Sequence, residues 1–538
     1  MSGLRAATLF LFFVFLITVS FGGGPIHIVK AGDTFDVPSG YNSNDYLKLV
    51  SFLEQTTADG RTNGSLISHD YNPQIPSSWS TVVERCGVKL TYGVVFEKIR
   101  SIDGTEEYRV VSFNNDASFL FEGTLDLSDC SYLQDVFLPH TTLSSVLLSG
   151  CSSLMRLDVS FSKCSSLNVR GCTSLEILHA CEGDFSSIGG LNDCSALLSL
   201  DVSDNSKLAS LDLSNTLSTL GSLYINNTPL GDGCIDFKKM FNADEIRCSG
   251  TRFTKLDFIN CRKLTQIFCS NDNLEYVLLP DSENNLDIEC VNSGLMALDL
   301  SHCSNLISLD CSGNPLKTLD LTNCLKTTYL TMNDCELNSL KLGQKPYLLK
   351  LECSGNALTE LDIASAPKLR HLTCSDNHLN SVVWNCTIDG FGTWTNNISA
   401  STGGFVGVGF FDNDPYSSTF SFFAVAKPGY KFVHWVSRVG TIVSEKSEIS
   451  FELGKSYSLT AIFEPNGCVF TAEPTKIPSE SPIMTPAEYT VPTQCITEIP
   501  SGKTHVRRTS DFRLYISVGS IIIILPLCIL LLVHRKKH

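Results

Sequence analysis

An apolar triplet of the form L-x-L returns through residues 125–384 at steps of 10 and 11. In the second half of that span its first positions are Ile246, Leu256, Ile267, Val277, Ile288, Leu298, Leu309, Leu319, Leu330, Leu340, Leu351, Leu361, Leu372 and Val382, and the two steps alternate without an error. The period is therefore 21 residues, made of two half-turns. A fixed short period of this kind means a solenoid, because one coil cannot bury its own apolar edge and must stack on the next. Within a triplet, alternation points positions 0 and +2 inward and +1 outward, as in a short strand. The fold class expected is mainly β: a ladder of 21-residue coils, each offering two short extended edges to one narrow core.

We call the series containing Leu309 edge A and that containing Leu319 edge B. Cysteine recurs at +2 of edge A, at Cys248, Cys269, Cys290, Cys311, Cys353 and Cys374, with Met332 replacing it once. A second column stands at +5 of edge B, at Cys130, Cys151, Cys172, Cys261, Cys303 and Cys324. The equivalent place on edge A holds Asn205, Asp272, Asn314, Asn356 and Asn377, with Cys335 as an exception. At such a corner a polar side chain or a small thiol completes the bend where the coil leaves the strand. Coils stacked about 4.8 Å apart set neighbouring cysteines within disulfide range, but parallel side chains of identical direction bridge poorly. Mostly free, buried thiols are expected, although 22 cysteines in an exported chain would ordinarily indicate a disulfide framework. The Cys-Ser-Gly-Asn runs at residues 311–314 and 353–356 recur at the structural period and read as core, not as nucleophiles. Counting back adds coils at Leu223, Leu200, Leu178, Leu157 and Val136, for 12 in all, with small slips between Leu178 and Ile246 and no clear B triplet over residues 183–193.

The ends carry targeting signals. Residues 1–24 hold a basic residue, an apolar run and then small residues, the pattern of a secretory signal peptide. Residues 514–533 are apolar and long enough to cross a bilayer, and residues 534–538 form a basic tail suited to the cytoplasmic side. Residues 465–511 are rich in Pro, Ser and Thr and read as an extended stalk. The expected location is the plasma membrane, single-pass type I, with an extracellular ectodomain. The net charge of −16 excludes nucleic acid as a natural partner. No catalytic motif has matched spacing, and His179 beside Cys181 reads as a surface residue next to a core one. No enzyme activity, cofactor or metal is expected.

Leu306 to Leu316, L-I-S-L-D-C-S-G-N-P-L, matches L-x-x-L-x-L-x-x-[N/C]-x-L. The chain thereby resembles the leucine-rich repeat family, and in its short period the internalin-like and BspA-like surface proteins. Residues 402–464 contain G-Y-K-F-V-H-W followed by T-A-I-F and are similar to the internalin-type B repeat, a small β-grasp-like module whose Tyr430, Phe432 and Trp435 would build its core. Residues 25–124, with a helix expected over 46–53, resemble an amino-terminal cap of such proteins. The resemblance implies adhesion or recognition of a protein or glycan ligand on another cell or matrix. The alternatives are a structural coat or spacer, or a receptor ectodomain signalling through a partner. Edge A is varied at its outward positions, Arg247, Phe268, Glu289, Asp310, Thr331, Glu352 and Thr373, flanked by Tyr329, Lys350 and His371, and is the expected binding face. Edge B repeats Asp257, Asp299, Asp320 and Asp362, which reads as turn and solubility chemistry. N-glycosylation sequons lie at Asn63, Asn226, Asn385 and Asn397.

Overall fold

The computed structural model describes residues 35–466, apart from 86–87, 101–103, 116–118, 271–272, 389–391, 413–418 and 453–456. The signal peptide, membrane segment and basic tail lie outside the described residues, as do Asp272 and the stalk beyond residue 466; Pro465, where the expected stalk starts, ends the strand Ser458–Pro465. No helix among the described residues is long and apolar enough to cross a membrane.

The periodic triplets form a solenoid. Edge A builds an unbroken parallel ladder from the cap strand Glu106–Asn114 through Asp135–Phe137, Arg156–Asp158 and Ile177–His179 to His371–Thr373. Each triplet's first residue pairs with the next coil's, as in Ile246 with Ile267 and Leu330 with Leu351. The three-residue strands show the expected alternation, with Leu309 and Cys311 buried and Asp310 half-exposed between them. One contiguous apolar core runs through all coils.

Edge B pairs only in pieces. Glu122–Asp126, Thr142–Leu147, Ser166–Asn168 and Ser187–Gly189 form one parallel set, Lys255–Asp257 pairs with Tyr276–Leu278, and Thr318–Asp320 pairs with Ser339–Lys341. The stretch without a visible triplet thus holds a strand, since Ile188 sits in register with Leu167; glycine at its third position hid it. Leu298 belongs to no strand, yet Leu298 and Leu300 stay buried, so the apolar edge holds its place without a ladder. The slips before Ile246 are longer coils, in which turns and the 3-10 helix Phe237–Lys239 replace a B strand.

Both ends are capped. The helix Ser43–Leu53 starts three residues before the expected one because Asn42 caps it, accepting from the Asp45 amide at 3.2 Å. Its buried Tyr46, Leu49, Val50, Phe52 and Leu53 join the core, where Tyr46 stacks on Trp79 with centroids 5.2 Å apart. Asp45 is fully buried and paired with Arg109 at 2.8 Å. At the other end the last B strand, Ser381–Ile388, pairs with Glu360–Ile363 and also with Gly392–Ala400, which in turn pairs with Ser458–Pro465. The module therefore begins before residue 402 and shares a sheet with the solenoid. Trp435 is buried and donates to the Lys446 carbonyl at 3.1 Å, and Phe432 packs on it and on Phe463, as expected of core residues.

Candidate binding face

Regular stacking of the coils has one functional consequence. It lines up the residues beside each inward leucine into two rows on the outer side of ladder A. The +1 row runs Tyr224, Arg247, Phe268, Glu289, Asp310, Thr331, Glu352 and Thr373, each the registered neighbour of the next. The −1 row runs Glu245, Gln266, Asp287, Ser308, Tyr329, Lys350 and His371. All ten binding-face residues expected from the sequence thus share one sheet face.

They fall into two linked groups. Near the middle, the Arg247 guanidinium lies 4.5 Å from the Phe268 ring centroid and 5.4 Å from that of Tyr224. Glu245 ties this stack together, accepting from Arg247 Nε at 2.5 Å and from the Tyr224 hydroxyl at 2.7 Å. That phenol is pushed up by burial and by its carboxylate neighbour. Toward the carboxyl end Glu352 meets Lys350 at 2.9 Å, His371 at 3.5 Å and the Thr331 hydroxyl at 3.3 Å. Between the groups, Glu289 accepts from Ser270 at 3.1 Å, Asp287 is half-buried with its carboxyl raised by desolvation, and Tyr329 is 46% exposed.

Asp310 also does local work, since its carboxylate accepts from the Ser312 amide at 3.1 Å. The same turn is made on edge B by Asp257, Asp299, Asp320 and Asp362, which accept amides two residues on at 2.9 to 3.2 Å. The monotony of edge B is therefore turn chemistry. A shallow cavity of about 320 Å³ lies on that side, lined by Leu340, Gly343, Gln344, Glu360, Asp362 and Ser365 among others.

Tyr224, Glu245 and Asp287 escaped sequence reasoning. The first two lie at or next to the register slip; Asp287 stands in the −1 row, of which the flanking residues expected from the sequence cover only the carboxyl-terminal part, Tyr329, Lys350 and His371. Just beyond the +1 row a side-chain staircase binds coil to coil: Asn226, Ser249, Ser270, Ser312 and Asn333 each accept from the backbone amide of the following coil at 2.8 to 3.1 Å. It lends the face rigidity.

The sequon residues separate. Asn397 is exposed and Asn226 half-exposed. Asn63 is fully buried, with its Nδ2 donating to the Phe52 carbonyl at 3.1 Å and the Glu122 carbonyl at 2.9 Å, so that nitrogen is not available for a glycan in the folded chain. Asn385 lies in the strand Ser381–Ile388, and its side chain is outside the described residues.

All 17 described cysteines are free, and 15 of them are buried. Burial pushes Cys151, Cys194, Cys261 and Cys303 up to about 12. Cys181, raised to about 11, is no activated nucleophile beside His179. No group of three or more His, Cys, Asp or Glu among the described residues is arranged to hold a metal ion.

A family model described as a divergent InlB B-repeat domain matches residues 395–467. No curated protein matches the chain by sequence. Among solved structures, the functional domain of InlJ from Listeria monocytogenes, which includes a cysteine ladder, is 17% identical, with 67% of this chain and 93% of that chain covered and a TM-score of 0.37. YopM from Yersinia enterocolitica is 21% identical over 48% of this chain and 56% of its own, with a TM-score of 0.39. A leucine-rich repeat protein of Leptospira interrogans is 16% identical over 47% of this chain and 76% of its own, with a TM-score of 0.36.

Proposed function

We propose that this chain is a cell-surface recognition protein that binds a protein or glycan ligand through the A face of its solenoid, without enzymatic activity or a cofactor. One observation carries the reading, the contrast between the two edges. Face A is an unbroken sheet with two registered rows of differing charged and aromatic side chains, whereas edge B is broken and spends its repeated aspartates on turns. A rigid array of varied side chains is what a solenoid uses to recognise one partner among many. In this reading residues 1–24 direct export, residues 514–533 anchor the chain once in the plasma membrane, and the stalk holds the solenoid outside as an adhesion or receptor ectodomain. The B-repeat-like module closes the membrane-proximal end, and glycans are carried at Asn226, Asn385 and Asn397.

The test is a screen of the full-length chain, displayed on cells, against matrix proteins, cell-surface extracts and glycan arrays. Partners found are then rechecked with the A-face variants Glu289→Lys and Tyr329→Ala and the B-side variant Glu360→Lys. Loss on both A-face changes, by about tenfold or more, with Glu360→Lys unaffected, is the expected result. The opposite pattern would move the site to edge B, and the absence of any partner would leave a structural coat.

A further inference from the structure

The most organised group on face A is the Arg247 stack, and its hydrogen bonding is incomplete in an informative way. Glu245 takes only Nε of Arg247. No described residue accepts from Nη1 or Nη2, and the side chain keeps 34% of its exposure. The flat guanidinium is held by rings on both sides and by a carboxylate at its inner edge, so a planar two-donor fork is fixed in place. A fork of this kind is shaped for bidentate capture of a carboxylate.

Beyond it the charge reverses. Two rungs along the ladder stand Asp287 and Glu289, and one rung further Asp310. No described side chain donates to Asp287, and none of the three forms an ion pair with a described basic residue. At about 4.8 Å per rung, the fork and the first carboxylates are about 10 Å apart. A polyproline-type segment returns to the same side every third residue after about 9 Å, the span from the fork to Asp287 and Glu289; a β-strand returns every second residue, too near at about 7 Å, and its fourth residue, about 13 Å on, comes beside the Asp310 rung.

We propose that Arg247 receives a carboxylate of an extended partner polypeptide, whose basic side chain three or four residues away meets Asp287, Glu289 and Asp310. The proposal rests on the A-face reading and gives the ligand its chemistry: a protein segment with paired opposite charges. A sulfated glycan would satisfy the fork but be repelled by the three carboxylates that follow.

The test uses the full-length chain, captured by a carboxyl-terminal tag, against an array of extended ten-residue peptides carrying one Asp and one Lys at every separation. Matched peptides replace Asp by Asn or Lys by Gln, and sulfated and neutral oligosaccharides share the array. Retention is expected to peak at separations of three and four and to fall about tenfold or more when either charge is removed. Arg247→Lys keeps the charge but loses the fork, and is expected to weaken the best peptide by a similar factor with thermal stability nearly unchanged. Retention indifferent to the Asp, or unchanged in Arg247→Lys, overturns the proposal. So does capture of oligosaccharides instead of peptides, or capture of nothing; the wider A-face reading falls separately, if the broader screen finds no partner or if Glu289→Lys and Tyr329→Ala leave every partner in it unaffected.

Discussion

Asn314 gives the sharpest test of how the coils are closed. The residue is fully buried at the A corner, and its amide makes four bonds of 3.0 Å or less: Nδ2 donates to the carbonyls of Cys290 at 2.7 Å and Cys311 at 2.8 Å, and Oδ1 accepts from the amides of Ser293 and Leu295 at 3.0 Å. Asn314→Ala leaves these backbone groups buried without that partner. At about 1 kcal/mol for each bond the loss is about 4 kcal/mol. Asn314→Ser should lose about half as much, about 2 kcal/mol, because serine at the same place one coil earlier, Ser293, still donates to the Cys269 carbonyl at 2.7 Å. Equilibrium denaturation followed by circular dichroism gives the totals. Hydrogen exchange should localise the damage to the coils on either side, since each coil contacts only its neighbours. An Ala variant costing less than about 1 kcal/mol would show that water or a shifted backbone replaces the amide, and the corner argument would fail.

Lys345 is fully buried, donates to the Leu321 carbonyl at 2.8 Å, and is pushed below the usual lysine range by desolvation. The unfolded chain therefore holds this proton more tightly than the folded one, the cost of the buried charge is felt in full below the folded pKa, and stability rises with pH from there toward the unfolded value of about 10.4. Lys345→Met removes both the buried charge and the donor to the Leu321 carbonyl, so the expected signature is the pH dependence: its stability relative to the parent should fall as the pH nears about 10; a difference constant with pH in calorimetry would assign it to packing and the lost donor instead. Asp45→Ala leaves Arg109 with Glu107 at 3.3 Å as its remaining carboxylate and takes the acceptor from the Val110 amide; it should cost about 3 kcal/mol, read as faster hydrogen exchange over the helix Ser43–Leu53, and unchanged exchange there would contradict the buried pair. In a thiol-reagent time course on the native chain, with labelled sites identified by peptide mapping, Cys181 and Cys234, the two half-buried ones among the described cysteines, should react before the other described ones, and the buried columns only on unfolding. Rapid uniform labelling would argue against stacked, closed coils.

The solenoid is legible in the sequence because burial repeats at a fixed period. What the period hides is backbone conformation. Among the described residues, the fourth residue after the first of each A-edge triplet is left-handed along the ladder, and late coils use Gly313, Asp334, Gly355 and Asp376 there, as preference dictates. Early coils put His140 and Phe161 in the same place, at φ of 58° and 57°. Closure of the coil overrides a local cost of about 1 to 2 kcal/mol, and the two rings stack at 4.4 Å, which offsets part of it. A residue-type rule finds the later positions of that column but passes over Phe161. The binding rows show the same division: their positions follow from counting, but the Tyr224, Arg247, Phe268 stack depends on distances between coils that counting does not supply.

The cysteine columns show what such counting measures. Cys151, Cys172, Cys261 and Cys324 each direct their Sγ to the carbonyl of the residue 24 positions earlier. Lys345 reaches back by the same 24 on edge B, and on edge A so do Ser293, Asn314, Cys335, Asn356 and Asn377. Four residue types with different volumes and charges thus make one contact. The recurring element is therefore a donor that satisfies the exposed carbonyl of the preceding coil, and sulfur is its commonest bearer on edge B because a thiol combines a weak donor with an apolar surface. On this argument a cysteine-to-serine change at Cys151 should be tolerated far better than cysteine-to-valine, although valine matches the core's polarity more closely. The ordering of the two variants in thermal denaturation decides between a column of donors and a column of small apolar groups.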